Sequence, residues 1–270
     1  GFIYPIEMGW QWGGGHLAAA GFSDFAGSTL VHACGGAAAL AGVIVLGART
    51  GRFPLRGGRT VMIPFAASSI PLVTLGTFLL WFGWFGFNGF SQLAMGTFDD
   101  VNAIGKIAVN THLAGAAGTF AGAVITRILG GKTDIVMMLN GALAGLVAIT
   151  AEPLTPSPFL AIFIGMCGAI IMYFGTKFLE NLGLDDVVGA IPVHMFAGIF
   201  GTLVVPLSNS ETSFGTQLIG VASVCIFSFV LSYATFKILK ATVGLRISRE
   251  AERLGTDKAE VGVVAYSIRD

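Results

Sequence analysis

The sequence has 270 residues, of which 54% are hydrophobic and 11% are charged. With a mean hydropathy of +0.80, this composition excludes a soluble globular domain and predicts a chain embedded in lipid. Fifteen basic and fifteen acidic side chains give zero net charge, so we expect membrane lipid as a partner and no nucleic acid.

Seven apolar runs follow one another along the chain, and each is about 17 to 30 residues long, enough for a helix that crosses a membrane. Gly, Ala and Ser are dense within the runs, which lets neighbouring helices approach closely. The sequence therefore predicts an all-α membrane protein, a polytopic helical bundle with about seven spans, at residues 26–48, 61–90, 103–129, 135–151, 159–179, 187–207 and 214–240.

Charged residues in the links between runs predict the orientation. The links around 97–102, 152–158 and 208–213 hold no Lys or Arg, and Lys106 is the one basic residue out of place. By the positive-inside rule, the N-terminal segment is outside and the C-terminus is cytoplasmic. The basic residues of the alternate links are Arg49, Arg52, Arg56, Arg59, Arg127, Lys132, Lys177, Lys237, Lys240 and Arg246.

The chain divides into two parts by composition. Residues 1–244 form the predicted transmembrane domain, and residues 245–270 form a polar tail on the cytoplasmic side. The tail is either a solvated segment without a role or a contact surface for neighbouring subunits or a regulator. We expect a multi-pass protein of the cell membrane, plasma or inner.

An acid and an imidazole lie eight residues apart in the first run, at Asp24 and His32. Eight residues are close to two helical turns, so both side chains lie near one face of one helix, with Asp24 where an N-cap would sit. His194 occupies a second, equally apolar run. An ionisable residue within a span indicates a functional site, although a lone histidine can also be a satisfied structural group.

Several motifs carry a resemblance to a known family. Residues 24–28 (Asp-Phe-Ala-Gly-Ser), followed by His32, resemble the signature of the ammonium transporter (Amt/Mep/Rh) family. Further matches, which extend over the whole chain, are Trp12-Gly13-Gly14-Gly15, Trp84-Phe85-Gly86-Phe87-Asn88 with Ser91, Val109-Asn110-Thr111, Asp185-Asp186 followed by Pro192-Val193-His194, and the tail from Gly244 to Ser248.

The resemblance implies a homotrimeric channel of eleven spans built as an inverted repeat, of which this chain would supply the fifth to eleventh helices and the cytoplasmic terminus. It also implies ammonium or ammonia as the transported species. At the tail we expect a cytoplasmic regulator or a fused output domain.

The resemblance further implies roles for single residues. His32 and His194 would be twin pore histidines joined by a hydrogen bond, and Phe87 would be one of two stacked gate rings. Trp12 and Ser91 would form an outer recruitment site, where an aromatic face and a hydroxyl accept a cation that is losing water.

Asp24 resembles the acid near the outer site of the family, which we interpret as a helix cap and backbone organiser. Without the resemblance, Trp12 and Phe87 would be ordinary interface or core aromatics. His16 and His112 match no functional position, and we assign them structural roles.

Three functions remain open from the sequence. The first is an ammonium channel or transporter that recruits NH4+ outside, deprotonates it and passes NH3, because losing a proton costs roughly 3 kcal/mol whereas a bare ion at the bilayer centre costs several or more. The second is an ammonium sensor that signals to a cytoplasmic output domain. The third, an intramembrane enzyme, is disfavoured because no HExxH motif or nucleophile elbow occurs.

We therefore expect no catalytic residues, no metal and no cofactor. The three cysteines, Cys34, Cys167 and Cys225, lie in apolar runs without metal-type spacing, and we expect small buried hydrophobes.

Overall fold

Helices account for nearly all the regular structure in the computed structural model, which describes residues 1–56 and 59–265. The end of the predicted tail, 266–270, lies outside the described residues. The elements are α1 (Ile3–Gly9), α2 (His16–Ala19), α3 (Ser28–Leu46), β1 (Leu55–Arg56), β2 (Arg59–Thr60), α4 (Ile70–Gln92), α5 (Phe98–Gly130), α6 (Ile135–Ile149), α7 (Pro158–Asn181), α8 (Ile191–Leu207), α9 (Phe214–Thr242), α10 (Arg249–Leu254) and a π-helical turn (Asp257–Val261).

The predicted helical bundle is confirmed, with one helix for each of the seven apolar runs. Five of them, α3, α4, α5, α7 and α9, are long and apolar enough to cross a membrane. The other two, α6 and α8, are shorter apolar helices. The described part of the chain therefore supplies five long candidate spans and two shorter ones.

Two helix starts differ most from the prediction, for local chemical reasons. The run predicted from residue 61 becomes helical only at Ile70, where the hydroxyl of Ser69 accepts a hydrogen bond from the N–H of Leu72. In contrast, α5 begins at Phe98, before the predicted 103, because Thr97 and Asp100 form a capping box. Polar caps thus set helix ends that hydropathy alone misplaces.

Glycine and alanine hold α5, α6 and α7 together. Gly118 of α5 and Gly141 of α6 face each other so closely that a methyl group on either would collide with the backbone of the other. Gly165 of α7 meets the backbone of Ala114 in α5 in the same way. Close backbone approach lets dispersion forces act where lipid removes the hydrophobic drive for helix association.

A second packed region joins α3 to α9 and to the N-terminal segment. Its buried side chains include Leu17, Phe22, Leu30 and Val224, with Trp10 packed against them. The helix α4 is the least buried of the five long spans. Trp84 of α4 joins Leu146 and Val147 of α6 in one buried cluster, so the core lies on the α6 side of α4.

The basic ends of the helices are tied together by ion pairs. The guanidinium of Arg49 donates from Nε to Asp185 at 2.8 Å, and Arg52 pairs with Glu180 at 3.0 Å. Burial alone would raise the pKa of Asp185, but the hydrogen bonds from Arg49 outweigh it and hold the pKa below its ordinary value. These contacts fix the link after α3 against the end of α7. A two-stranded antiparallel hairpin, β1–β2, pairs Leu55 with Thr60 in the same link.

We predict that Gly118→Ala lowers the stability of the bundle, because its methyl group meets the carbonyl oxygen of Gly141. Overpacking of this kind costs about 1–3 kcal/mol. Thermal unfolding in detergent measures the effect. Gly76→Ala in α4 is the matched control, since a Cβ there meets nothing within 4 Å. Equal melting temperatures for the two variants would contradict the packing argument.

Candidate functional site

The two histidines predicted for the pore meet in the structure. Their Nδ1 atoms are 3.2 Å apart, and the ring centroids are 5.2 Å apart with an interplanar angle of 24°. His32 is buried, with 9% of its surface exposed, and His194 is half-buried. Residues 162 positions apart in the chain thus form one imidazole pair between α3 and α8.

The same local structure carries each histidine. Each lies in a π-helical turn at the start of its helix, Ser28–Ala33 in α3 and Ile191–Phe196 in α8. A glycine with positive φ precedes each turn, Gly27 at 116° and Gly189 at 74°. Other residues are strained in this region, whereas glycine adopts it freely.

An aspartate organises each turn from eight residues before the histidine. The carboxylate of Asp24 accepts four backbone N–H bonds of 2.8–3.0 Å, from Gly27, Ser28, Thr29 and Leu30. The carboxylate of Asp186 accepts two, from Ala190 at 3.0 Å and Ile191 at 2.7 Å. Each carboxylate therefore satisfies N–H groups that a helix start leaves without partners.

Two further glycines allow the helices to cross at the histidines. Gly36 and Gly198 each follow a histidine by four residues. A Cβ on Gly36 would lie 2.6 Å from the backbone nitrogen of Met195, and one on Gly198 would collide with the carbonyl oxygen of Ser28. The spacing Asp-x2-Gly-x4-His-x3-Gly therefore occurs twice. Sequence reasoning missed this repeat, although a comparison of the two segments would have found it.

An aromatic wall from α4 covers His32. The Trp84 ring stacks on His32 with centroids 5.0 Å apart at 19°, and the Phe87 ring lies 5.4 Å from His32. The indole N–H of Trp84 donates to the hydroxyl of Thr150 at 2.9 Å, which fixes the ring. Trp84 and Phe87 are three residues apart in the sequence, a spacing that indicates a shared helix face.

The hydrogen-bonding capacity of the histidine pair follows from its geometry. Two facing Nδ1 atoms of neutral rings share one proton, so one ring donates and the other accepts. The donating ring then has a lone pair at Nε2, and the accepting ring has an N–H there. The Nε2 atom of His32 has no hydrogen-bond partner among the described residues. The pair can therefore offer one acceptor and one donor to a small molecule.

The predicted outer residues lie apart from each other. The indole N–H of Trp12 donates to the carbonyl oxygen of Asp24 at 2.9 Å, and the side chain is 39% exposed. The hydroxyl of Ser91 donates to the carbonyl oxygen of Phe87 at 2.8 Å. Within the described part of the chain, no hydrogen bond or ring contact joins Trp12 to Ser91. Trp12 thus contacts the backbone of the aspartate that caps the turn of His32, and Ser91 contacts the backbone of Phe87, whose ring lies beside His32.

Metal ligation has no support in the described residues, where no group of three or more His, Cys, Asp or Glu side chains could hold an ion. The three cysteines are free thiols; Cys34 and Cys225 are buried, and Cys167 is partly exposed. The groups that meet at the site are two imidazoles, their aromatic cover and the surrounding backbone.

Comparison with known proteins gives matches over nearly the whole chain. The sequence profile of the Ammonium Transporter Family matches residues 1–266. Ammonium transporter Amt2 of Archaeoglobus fulgidus is 40% identical over 295 residues, which cover 98% of this chain and 61% of the relative. Ammonium transporter Amt1 of Haloferax mediterranei is 36% identical, with 98% and 55% covered. The chain thus spans about 60% of the length of the relatives it matches.

Solved structures agree in fold. A structure described as a Sensor Amt Protein superposes with a TM-score of 0.89 at 35% identity, covering 96% of this chain and 67% of the other. Mep2 of Candida albicans gives 0.81 at 29% identity, with 96% and 60% covered. These matches show a multi-pass helical membrane bundle. Because these sequence matches cover nearly the whole chain, the chain belongs to the ammonium transporter family.

Proposed function

We propose that the protein moves ammonium across a membrane through a path lined by His32 and His194. The observation that carries the proposal is the 3.2 Å contact between their Nδ1 atoms, with the Nε2 atom of His32 unpartnered. Ammonium transport by the named relatives supports the choice of substrate. The chain covers only part of each relative, so the transport activity of the whole protein is itself part of this proposal.

The histidine pair favours a neutral amine over an ion. Ammonia can donate a hydrogen bond to one Nε2 and accept one from the other. A cation uses only the acceptor and must also lose its water among buried apolar side chains, which costs several kcal/mol or more. The cheaper route is therefore to release a proton at the outer side and to pass NH3 along the pair.

The aromatic residues would recruit and filter the substrate. The exposed face of Trp12 attracts a cation that has shed part of its water, and Ser91 adds a hydroxyl. Phe87, beside His32, would close the path to hydrated ions. Asp24 is unsuited to direct binding, because both of its oxygens already accept backbone N–H bonds. In this proposal it positions the turn that carries His32.

We further propose a homotrimer in the cell membrane with a cytoplasmic C-terminus, a tail that couples to neighbouring subunits or a regulator, and no enzymatic activity. The basic residues at alternate helix ends support the orientation. The resemblance of the sequence motifs to those of the family supports the trimer.

A second candidate function is ammonium sensing. The similarity to a Sensor Amt Protein favours it, as does a contact between the tail and the membrane domain. Glu252 of α10 accepts hydrogen bonds from the backbone N–H and the hydroxyl of Thr50, at 2.7 and 2.9 Å, and pairs with Arg246. Bonds from Thr50 and Arg246 lower the pKa of Glu252 to about 2. Thr50 is followed back along the chain by Arg49, which pairs with Asp185. The next residue, Asp186, caps the turn at the start of α8.

His32→Ala and His194→Ala each test the pore proposal. We expect ammonium-dependent current in proteoliposomes to be altered or lost, because the donor–acceptor pair is destroyed. Assembly should persist, which size-exclusion chromatography checks. His16→Ala removes an imidazole outside the pair and should leave the current unchanged. If both pore variants conduct with the selectivity of the parent protein, the histidines do not line the path.

Trp12→Leu tests how ions are selected. Loss of a cation–π contact worth roughly 1–2 kcal/mol should weaken recruitment by about tenfold. K+ should still be excluded, because Phe87 and the histidines continue to demand a neutral species. Currents in ammonium and K+ gradients measure both effects, with Phe214→Leu, an exposed aromatic at the start of α9, as the control. A K+ current through Trp12→Leu would show that exclusion does not depend on deprotonation.

Glu252→Gln tests the tail contact, with deletion of residues 246–260 as the stronger form. We expect faster hydrogen exchange at Thr50 and a lower ammonium flux, while the thermal stability of the bundle is kept, because few apolar contacts are lost. Glu250→Gln in the same helix is the matched control. In a sensor, ammonium binding would change hydrogen exchange in the tail without any net flux of ammonium. Unchanged exchange and flux in both tail variants would make the tail a solvated segment.

A further inference from the structure

A buried acid in α1 takes no part in the transport path described above. The side chain of Glu7 is completely buried, and neither of its carboxyl oxygens has a hydrogen-bond partner among the described residues. Asp24 is also completely buried, but its carboxylate accepts four backbone N–H bonds. Two buried carboxyl groups thus lie in the N-terminal part of the chain, and they differ in that Asp24 is bonded as an anion whereas Glu7 is not.

The groups around Glu7 offer it no positive charge. Its titratable neighbours come from its own helix, the link before α3, α3 itself and α9, and they are Tyr4, Asp24, Cys34 and Cys225. Each of these side chains is either neutral or negative. The hydroxyl of Ser228 in α9 already donates to the Sγ atom of Cys34 at 3.1 Å. An ionised Glu7 would therefore be a buried charge without a cation or a donor to compensate it.

A carboxyl group in such a place takes up a proton, because an uncompensated buried charge costs more than protonation. α1 lies outside the seven apolar helices, and burial raises the pKa of Glu7 from 4.5 to about 8, against a smaller opposing effect of the Cys34 thiol. The side chain has no exposed surface at which a larger ligand could arrive. The ligand that fits this site is therefore a proton.

The docking of α1 also places the recruitment residue Trp12. α1 contacts α9 and the first turn of α3, and the chain leads from it directly to Trp12. The indole N–H of Trp12 donates to the carbonyl oxygen of Asp24, and a Cβ on Gly27 would lie 3.3 Å from the indole ring. Gly27 begins the turn that carries His32. Burial of Glu7 is thus part of the packing that holds Trp12 beside this turn.

We propose that Glu7 is a proton-binding site whose proton keeps α1 and Trp12 docked against α3 and α9. Once the proton is lost, the carboxylate can regain water only if α1 moves away from the two helices. The site would thus respond to alkaline pH at the outer end of the bundle. Proton binding at Glu7 is independent of which species the protein transports, whereas its effect on recruitment through Trp12 rests on the proposed function.

Thermal unfolding of the purified protein against pH tests the site. Because the pKa of Glu7 is higher in the folded chain than in the unfolded one, Glu7 lowers stability progressively as the pH rises from 4.5 to about 8. Glu7→Gln has the shape of the protonated acid and no charge. We expect its melting temperature to gain on that of the parent by on the order of 5 °C across this range. Glu211→Gln, an exposed acid before α9, is the matched control and should show no such gain.

Infrared difference spectra detect the proton directly. Between about pH 7 and about pH 9, the parent protein should lose the C=O stretch of a protonated carboxyl group. Glu7→Gln should lack this band, and Glu211→Gln should keep it. Over the same range, hydrogen exchange in residues 8–18 should rise beyond its intrinsic pH dependence in the parent and not in Glu7→Gln. None of these measurements uses ammonium current, so they stand or fall separately from the proposed function.

Three results would overturn the proposal. The first is the absence of a carboxyl band that Glu7→Gln removes, since Glu7 would then be ionised. The second is stabilisation of the parent at about pH 7 by Na+ or K+ relative to choline, lost in Glu7→Gln. It would assign the site to a cation shared with the unpartnered Oε1 atom of Gln11. The third is exchange in residues 8–18 that ignores the loss of the band, because the proton would then not hold α1 in place.

Discussion

The close crossing of α3 and α8 is the constraint on which the rest of the site depends. Gly36 and Gly198 remove the side chains that would keep the two backbones apart, so the helices meet one turn beyond each histidine. Only at this separation can the rings of His32 and His194 share a proton across 3.2 Å. Hydroxyls add a polar contact at the same crossing, where Thr29 meets Thr202 at 2.7 Å.

Polar groups within an apolar bundle must satisfy one another, and this requirement explains the surroundings of the pair. Asp24 and Asp186 satisfy the N–H groups of the two turns, and Thr150 satisfies the indole of Trp84. Once these groups are paired, the Nε2 atom of His32 is left as a buried polar atom without a partner among the described residues. In the proposed function, this buried nitrogen beside two aromatic rings is the atom that a passing ligand would contact.

The basic ends of the helices carry a different kind of organisation. Arg49 and Arg52 draw the link after α3 onto Asp185 and Glu180, and Glu252 brings the tail onto the same link. Asp185 adjoins the acid that caps the turn of His194. The tail thus lies a few bonded groups from the turn that carries His194.

Composition, the seven apolar runs and the position of each histidine followed from the sequence, because hydropathy and helical spacing are local properties. Resemblance to a family added the roles of Trp12, Phe87 and Ser91, which remain proposals. The predicted starts of the helices that begin at Phe98 and Ile70 were wrong by several residues, because polar capping side chains set those starts and hydropathy does not detect them. Only the tertiary structure decided that Trp84 stacks on His32 and that Asp186 mirrors Asp24. These contacts join residues far apart in the chain, and their distances are set by how closely glycine lets two backbones approach, which no local pattern encodes.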